Sequence, residues 1–463
     1  MTTLVQSLAG NTGPAPSRPA PAAVPSGPGP VPPPRDLHSA DLHPSLADPL
    51  LTSMNFLNEV AGRHPDALSL AAGAPYEGFY DLEDVHRCLR RFCDHLRTEQ
   101  GRTEQEVRRT VLQYGRTKGI VHDLIARHLD VDEGIHVDPE ALVVTAGFQE
   151  ALFVTLRALR RDHRDVLLAV TPAYVGATGA ARLLDMPVRT VADGPEGVDL
   201  ADLARRVSQT RAEGLRPRAL YLVPDFANPT GTRVPLHVRR AVLDLAERED
   251  LLVLEDNPYG LFPLDGERLP TLKALDARRR VVYLGSLSKS VFPGTRVGFV
   301  VADQIVRNGA LPPLYLADHL ARAKSMLTVN TSPLAQAVVG GRLLEYGCSL
   351  QRATAREAEV YQRGLTRLLD GLARRFPGPS LVTWNRPAGG FFVVVTVPFD
   401  VTNAQVERSA RAHRVLWTPL HHFYEGPGPL RQLRLSCSSL EPSDIDRALD
   451  RFADFVRSVA PDA

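Results

Sequence analysis

The chain has 463 residues and a formal net charge of +1 at pH 7, which gives no electrostatic case for nucleic acid or an anionic membrane as a partner. That length can hold a large core and two domains. Four cysteines, Cys88, Cys93, Cys348 and Cys437, show neither metal-ligand spacing nor a secreted disulfide pattern, so no metal site is expected and a reducing cytoplasm is the expected location.

Residues 1–40 hold ten of the 38 prolines, mixed with Ala, Gly and Ser, and lack a periodic apolar face. They read as a disordered extension without a secretory signal, and no later stretch is apolar enough to span a bilayer. Ordered structure is expected to begin near Asp41–Met54, where apolar residues fall at helical spacing. Leu68–Tyr76 reads as a short strand that ends in a turn at Gly73. From Ala141 onward strands and helices alternate: ALVVTAG, a helix over Gln149–Leu159, DVLLAV, a helix over Val175–Leu184, then RALYLVPD, LLVLEDN and VVYLGS. Continuous apolar strand runs with intervening helices predict an α/β fold, a mainly parallel sheet flanked by helices on both faces, with ligands at the carboxyl ends of the strands. A helical stretch over Asp303–Tyr346 leads to helices near 350–375 and 442–459 and to strands in LVTWNRP, GFFVVVTVP, VLWTPL and QLRLSCSS. The expected division is the extension over 1–40, an arm and large domain over 41–345, and a smaller α+β domain over 346–463.

The chemically distinctive residues fall at strand ends. Thr145-Ala146-Gly147-Phe148-Gln149-Glu150 turns a strand into a helix through glycine, and its free amides together with the helix dipole make a phosphate cradle. Tyr174, Asn228 in Asn-Pro-Thr-Gly, and Asp256 with Tyr259 follow three further strands. Between the strand-like runs of Val281–Val301 lie Ser286, Ser288, Lys289 and Arg296. Lysine is scarce: only Lys118, Lys273, Lys289 and Lys324 contribute to the 54 Lys+Arg. A chain that uses arginine for surface charge keeps lysine where an amine must lose its proton and attack a carbonyl, which guanidinium cannot do. Lys289 is the candidate for that role.

The pattern S-x-S-K-x-x-x-P-G-x-R-x-G-F over Ser286–Phe299, with Asn228 and Asp256 at fitting intervals before it, resembles the fold-type I, pyridoxal-phosphate (PLP) aminotransferases of the aminoadipate/kynurenine branch. The resemblance implies that Lys289 carries PLP as a Schiff base and moves the proton in catalysis. It places Ser286, Ser288 and Arg296 on the phosphate with the turn of Gly147, Phe148 and Gln149, although Phe148 stands where many relatives have a small hydroxyl residue. It stacks Tyr174 on the pyridine ring, hydrogen-bonds Asn228 and Tyr259 to the phenolic oxygen, and pairs Asp256 with the pyridinium nitrogen. The substrate carboxylate falls to Arg434 in Leu433-Arg434-Leu435-Ser436, beside Asn228 and under the backbone of Gly73. Tyr114 in LQYGRTKG would reach a partner's phosphate, which implies a homodimer.

Segments spread over most of residues 41–457, among them GAPYEGFYD, LQYGRTKG and PDFANPTG, resemble the (S)-3,5-dihydroxyphenylglycine transaminases and arylglycine relatives of glycopeptide-antibiotic (nonribosomal peptide) assembly. That implies exchange of an amino group between an amino acid and a 2-oxo acid, with Tyr76, Phe79 and Tyr80 as candidates for an aryl pocket. An amino-acid oxidase, β-lyase or decarboxylase on the same scaffold shares the cofactor residues and stays open as an alternative. A PLP-binding transcriptional regulator needs a winged helix for which residues 1–40 are too short and too rich in proline.

Overall fold

A computed structural model describes residues 36–48, 51, 56, 59–194 and 196–460. The disordered extension expected over 1–40 therefore lies almost entirely outside the described residues, as does much of the helix expected over Asp41–Met54. The described part of that stretch forms two 3-10 turns, Ser39–Asp41 and Pro44–Ala47, and is helical at Leu51, as are Phe56 and residues 59–63 after it. Pro44 and Pro49 lack the amide that a continuous helix would need. Two units separate after His43, and among the described residues the second contains every sheet.

Its main sheet has seven strands: β1 (Leu142–Thr145), β2 (Asp165–Thr171), β3 (Val188–Ala192), β4 (Arg216–Leu222), β5 (Leu252–Asp256), β6 (Val281–Ser286) and β7 (Gly298–Val301). They lie in the order β1-β7-β6-β5-β4-β2-β3. Pairing is parallel from β3 through β6, while β7 runs antiparallel to both β6 and β1. The reversal follows from the connection: β6 and β7 are joined by a loop without a crossover helix, so the chain must return antiparallel. That loop carries Lys289.

Side chains alternate across each strand, which is why continuous apolar runs cover both faces. Leu167 and Ala169 of β2, with Leu254 and Leu284, pack against helices Phe148–Leu159 and Val175–Leu183. Leu168, Leu220, Val253 and Val281 point the other way and pack against helices Leu200–Ala212 and Leu236–Arg248.

A second, antiparallel sheet comprises β8 (Thr383–Trp384), β9 (Phe392–Thr396), β10 (Thr418–Pro419) and β11 (Gln432–Ser436), ordered β8-β9-β11-β10. Val393, Val395, Leu433 and Leu435 bury against Leu365, Leu368, Leu449 and Phe452 of helices Ala355–Arg375 and Pro442–Val459. Leu68–Ser69 pairs in parallel with Val415–Leu416, and the Ser436 amide donates to the Leu70 carbonyl at 2.7 Å. This lays Ala71–Pro75 as a strap over the end of β11.

Three expected elements come out shorter. Asp303–Tyr346 contains two-residue strands at Ile305–Val306 and Leu314–Tyr315 before helices Leu316–Ser325 and Pro333–Glu345, because Gly309, Pro312 and Pro313 interrupt the first part and Ser332 caps the second helix. VLWTPL splits into Val415–Leu416 and Thr418–Pro419. The helix near 350 breaks at Thr354, leaving Leu350–Ala353 as a single turn.

Candidate active site

A cavity of about 400 Å³ opens at the carboxyl ends of β4, β5 and β6, a volume suited to a cofactor with a small substrate. Lys289 reaches it because Leu287 and Val291 on the same loop are buried at 1% and 7% exposure and act as anchors, leaving Ser286, Ser288 and Lys289 on the cavity wall. The Lys289 amine donates to the Gly73 carbonyl at 2.8 Å. Burial, followed by the nearby Arg434 and Arg296 charges, lowers its pKa to about 8. Lys118, Lys273 and Lys324 are also buried, but each pairs with a carboxylate: Asp318 at 2.6 Å, Asp303 at 2.7 Å and Glu150 at 2.7 Å respectively. Scarcity alone does not single out Lys289; its lack of an acidic partner among the described residues does.

Asp256 ends β5, and β4 runs beside it in parallel. Tyr221, fully buried on β4, donates its hydroxyl to Asp256 Oδ2 at 2.6 Å. Burial pushes the Asp256 carboxyl up to about 7, with the Tyr221 hydrogen bond pulling the other way. Tyr174 precedes helix Val175–Leu183 on the cavity wall, its ring edge-on to Phe148 at 6.1 Å, and burial raises its hydroxyl to about 12. Asn228 connects two walls: it bonds the Tyr259 hydroxyl and accepts from Arg434 through Oδ1.

Arg434 projects from β11 between the rings of Phe392 and Phe423, at 4.3 and 5.1 Å. Its guanidinium also donates to the Ala71 carbonyl at 2.6 Å and to Thr418 Oγ1 at 3.2 Å, while Nε is buried with no partner among the described residues. Burial brings its pKa down to about 10.

Two glycines are required by space. Gly147 has φ +78°, and a Cβ there would meet the Arg296 guanidinium at 2.7 Å; at Gly73 it would meet the Phe392 ring at 2.9 Å. Arg296 itself sits at φ 51° after the 3-10 turn Pro293–Thr295, which directs its side chain back to the Gly147 turn.

Of the residues singled out from sequence, Gly73, Phe148, Gln149, Tyr174, Asn228, Asp256, Tyr259, Ser286, Ser288, Lys289, Arg296 and Arg434 all line this cavity. Gly147 stands behind Arg296. Tyr114 is 84% exposed and outside the cavity of its own chain. Tyr76, Phe79 and Tyr80 do not line it either: the Tyr76 hydroxyl donates to Glu441 at 2.6 Å, Phe79 packs edge-on to Tyr76, and Tyr80 packs on Phe292. The apolar wall comes instead from Ala61, Val223, Leu416 and Phe423, with His422, whose pKa burial lowers to about 4. Sequence reading missed Tyr221, Phe392 and Phe423. Tyr221 carried a signal, since a tyrosine inside an apolar central strand needs a buried partner for its hydroxyl.

The sheet order, with its single antiparallel strand and a lysine on the loop before it, is that of the fold-type I PLP-dependent transferases. The chain belongs to the class I and II aminotransferases, whose family profile matches residues 77–452. It is 52% identical over 412 residues to (S)-3,5-dihydroxyphenylglycine transaminase of Amycolatopsis orientalis, covering 89% of this chain and 93% of that one. The structure of α-aminoadipate aminotransferase from Thermus thermophilus, complexed with N-(5'-phosphopyridoxyl)-L-leucine, superposes with TM-score 0.72 at 30% identity, covering 91% and 100% of the two chains. Pyrococcus horikoshii kynurenine aminotransferase gives TM-score 0.75 at 25% identity over 88% and 94%.

The cavity's donor set fits PLP. Two serines, a guanidinium and a helix N-terminus gather at one end as an anion site. A buried carboxylate with no cation beside it among the described residues faces the middle, and an amine poised to lose its proton lies between them.

Proposed function

We propose that this aminotransferase interconverts an arylglycine and the corresponding aryl 2-oxo acid, as a source of arylglycine units for a nonribosomal peptide antibiotic. The observation that carries this reading is 52% identity to a dihydroxyphenylglycine transaminase across nearly the whole chain. The apolar wall of Ala61, Val223, Leu416 and Phe423 around the single carboxylate clamp Arg434 supports it.

Bound here, PLP supplies an electron sink for the charge that develops at the substrate Cα. Arg434 fixes the substrate carboxylate, so that Cα faces Lys289. The Lys289 amine, neutral near pH 8, takes the Cα proton and returns it on the other side of the transfer. Asp256 holds the proton on the ring nitrogen, and Asn228 with Tyr259 holds the phenolic oxygen. Tyr174 fixes the ring plane, while Ser286, Ser288, Arg296 and the Gly147–Gln149 amides hold the phosphate. We assign the chain as a homodimer in which Tyr114 completes the partner's site, because Tyr114, Leu112 and Met326 are 84, 64 and 83% exposed. The four unpaired cysteines suit a reducing cytoplasm.

The test is an absorbance titration of the loaded protein with 3,5-dihydroxyphenylglycine, phenylglycine, tyrosine and glutamate while dissolved oxygen is followed. An arylglycine should convert the cofactor to its amine form, and a 2-oxo acid should reverse the change without oxygen uptake. Oxygen consumption, or no response to any arylglycine, would overturn the substrate assignment.

The lowered pKa of Lys289 makes a separate prediction about the cofactor-free protein. Only the neutral amine is nucleophilic, so labelling of Lys289 by an amine-directed reagent should rise about tenfold per pH unit up to about 8 and then level off. Peptide mass spectrometry across pH 6–10 reads this out; a rise still continuing between about pH 9 and 10 would show an ordinary lysine.

A further inference from the structure

Lys324 is one of the four lysines, and it touches no wall of the cavity. Its side chain is completely buried, and its amine donates to Glu150 Oε2 and to Thr328 Oγ1, both at 2.7 Å. Thr328 in turn donates to Glu150 Oε1 at 2.6 Å, which closes a three-membered network. The remaining bond leads to the cofactor site: Glu150 Oε2 accepts the Ala146 amide at 2.6 Å. Ala146 immediately precedes Gly147, the residue against which the Arg296 guanidinium lies. A second tie holds the same stretch of chain to β1, since Thr331 donates to the Val144 carbonyl at 3.0 Å.

Glu150 sits in the first turn of helix Phe148–Leu159, whose N-cap Gly147 has no capping side chain. A carboxylate there stabilises the turn, but it also places a negative charge where a phosphate is to bind, and a buried charge is poorly screened. A buried cation in contact with that carboxylate removes the conflict. We infer that Lys324 is a positioning residue for the phosphate turn: by neutralising Glu150 it lets the carboxylate hold the Ala146 amide without repelling the phosphate bound at Gly147–Gln149. The inference rests on the assignment of that turn, with Arg296, to the PLP phosphate.

The test uses the full chain stripped of cofactor and measures affinity for PLP and for pyridoxal, which lacks the phosphate. K324M leaves Glu150 unneutralised, and the ratio of PLP to pyridoxal affinity should fall roughly 10- to 100-fold. E150Q should leave the ratio unchanged or raise it, because it removes the repelling charge while its amide oxygen still accepts from Ala146. The double variant should return to within about threefold of the parent ratio. Equal weakening of both ligands by K324M would show only a packing role and overturn the inference, as would a ratio lowered by E150Q. Should K324M fail to fold, the direction of the E150Q change decides. A parent protein with no preference for PLP over pyridoxal would overturn the phosphate assignment itself.

Discussion

Lys289→Ala is expected to lower kcat by at least about 10⁴-fold while leaving PLP bound without its covalent link. The size of the loss follows from what else the cavity holds. Arg434, brought down only to about 10, keeps its proton at working pH, burial raises the hydroxyls of Tyr174 and Tyr259, and burial keeps His422 a weak base with a pKa of about 4. No other lining group combines nucleophilicity with a pKa near 8. Lys289→Arg should be equally inactive, because it restores charge without a neutral amine. A small primary amine added to the alanine variant should restore part of the turnover, which a structural collapse would not allow. Steady-state rates with an arylglycine, and the position of the bound-cofactor absorbance band, check the expectation; near-normal activity in Lys289→Ala would overturn the assignment of that residue.

How much of this site was legible in the sequence depends on how local each relation is. Lys289, Ser286, Ser288 and Arg296 lie on one loop, and Asn228, Asp256 and Tyr259 follow strand ends, so spacing along the chain carries their geometry. Relations across the fold left no comparable trace. The Lys289–Gly73 hydrogen bond joins residues 216 positions apart, and Arg434 reaches Asn228 across 206. Phe392 and Phe423, which sandwich Arg434, carry no local signal, because nothing in their sequence neighbourhood distinguishes a ring beside a buried cation from a ring beside leucine. Tyr76, Phe79 and Tyr80 misled in the opposite direction. They follow the strap in sequence, but the 3-10 turn Glu77–Phe79 bends them away, and Glu441 takes the Tyr76 hydroxyl. The main sheet was readable from continuous apolar strands alternating with helices. The short strands Leu68–Ser69 and Val415–Leu416 were readable too, within Leu68–Tyr76 and VLWTPL, but their pairing with each other was not, since two-residue pairing reflects where neighbouring chain lies more than any propensity.

Asp256→Asn should reduce kcat by about 10³-fold with little change in how tightly PLP is held, and this second large effect separates charge from shape. The asparagine is isosteric, and its amide oxygen still accepts the Tyr221 hydroxyl, so the pocket keeps its form. What disappears is the negative charge. In the cofactor-free protein burial holds the Asp256 carboxyl near 7, well above a normal aspartate, because no cation among the described residues compensates it. A protonated ring nitrogen at that position reverses the balance: opposite charges in a poorly screened site favour the ionised carboxylate and the protonated ring together. With asparagine the ring nitrogen loses that support, and negative charge at Cα has a weaker sink. Tyr221→Phe acts in the opposite sense on the same atom, removing a hydrogen bond to the carboxylate and making it more basic. It should keep the ring nitrogen protonated and cost kcat no more than roughly tenfold. The two variants are distinguished by nitrogen-15 NMR of labelled PLP, with the ring nitrogen deprotonated in Asp256→Asn and protonated in Tyr221→Phe. Equal rates for Asp256→Asn and the parent enzyme would mean that the ring needs no carboxylate partner, and the role given to Asp256 in keeping the ring nitrogen protonated would fall.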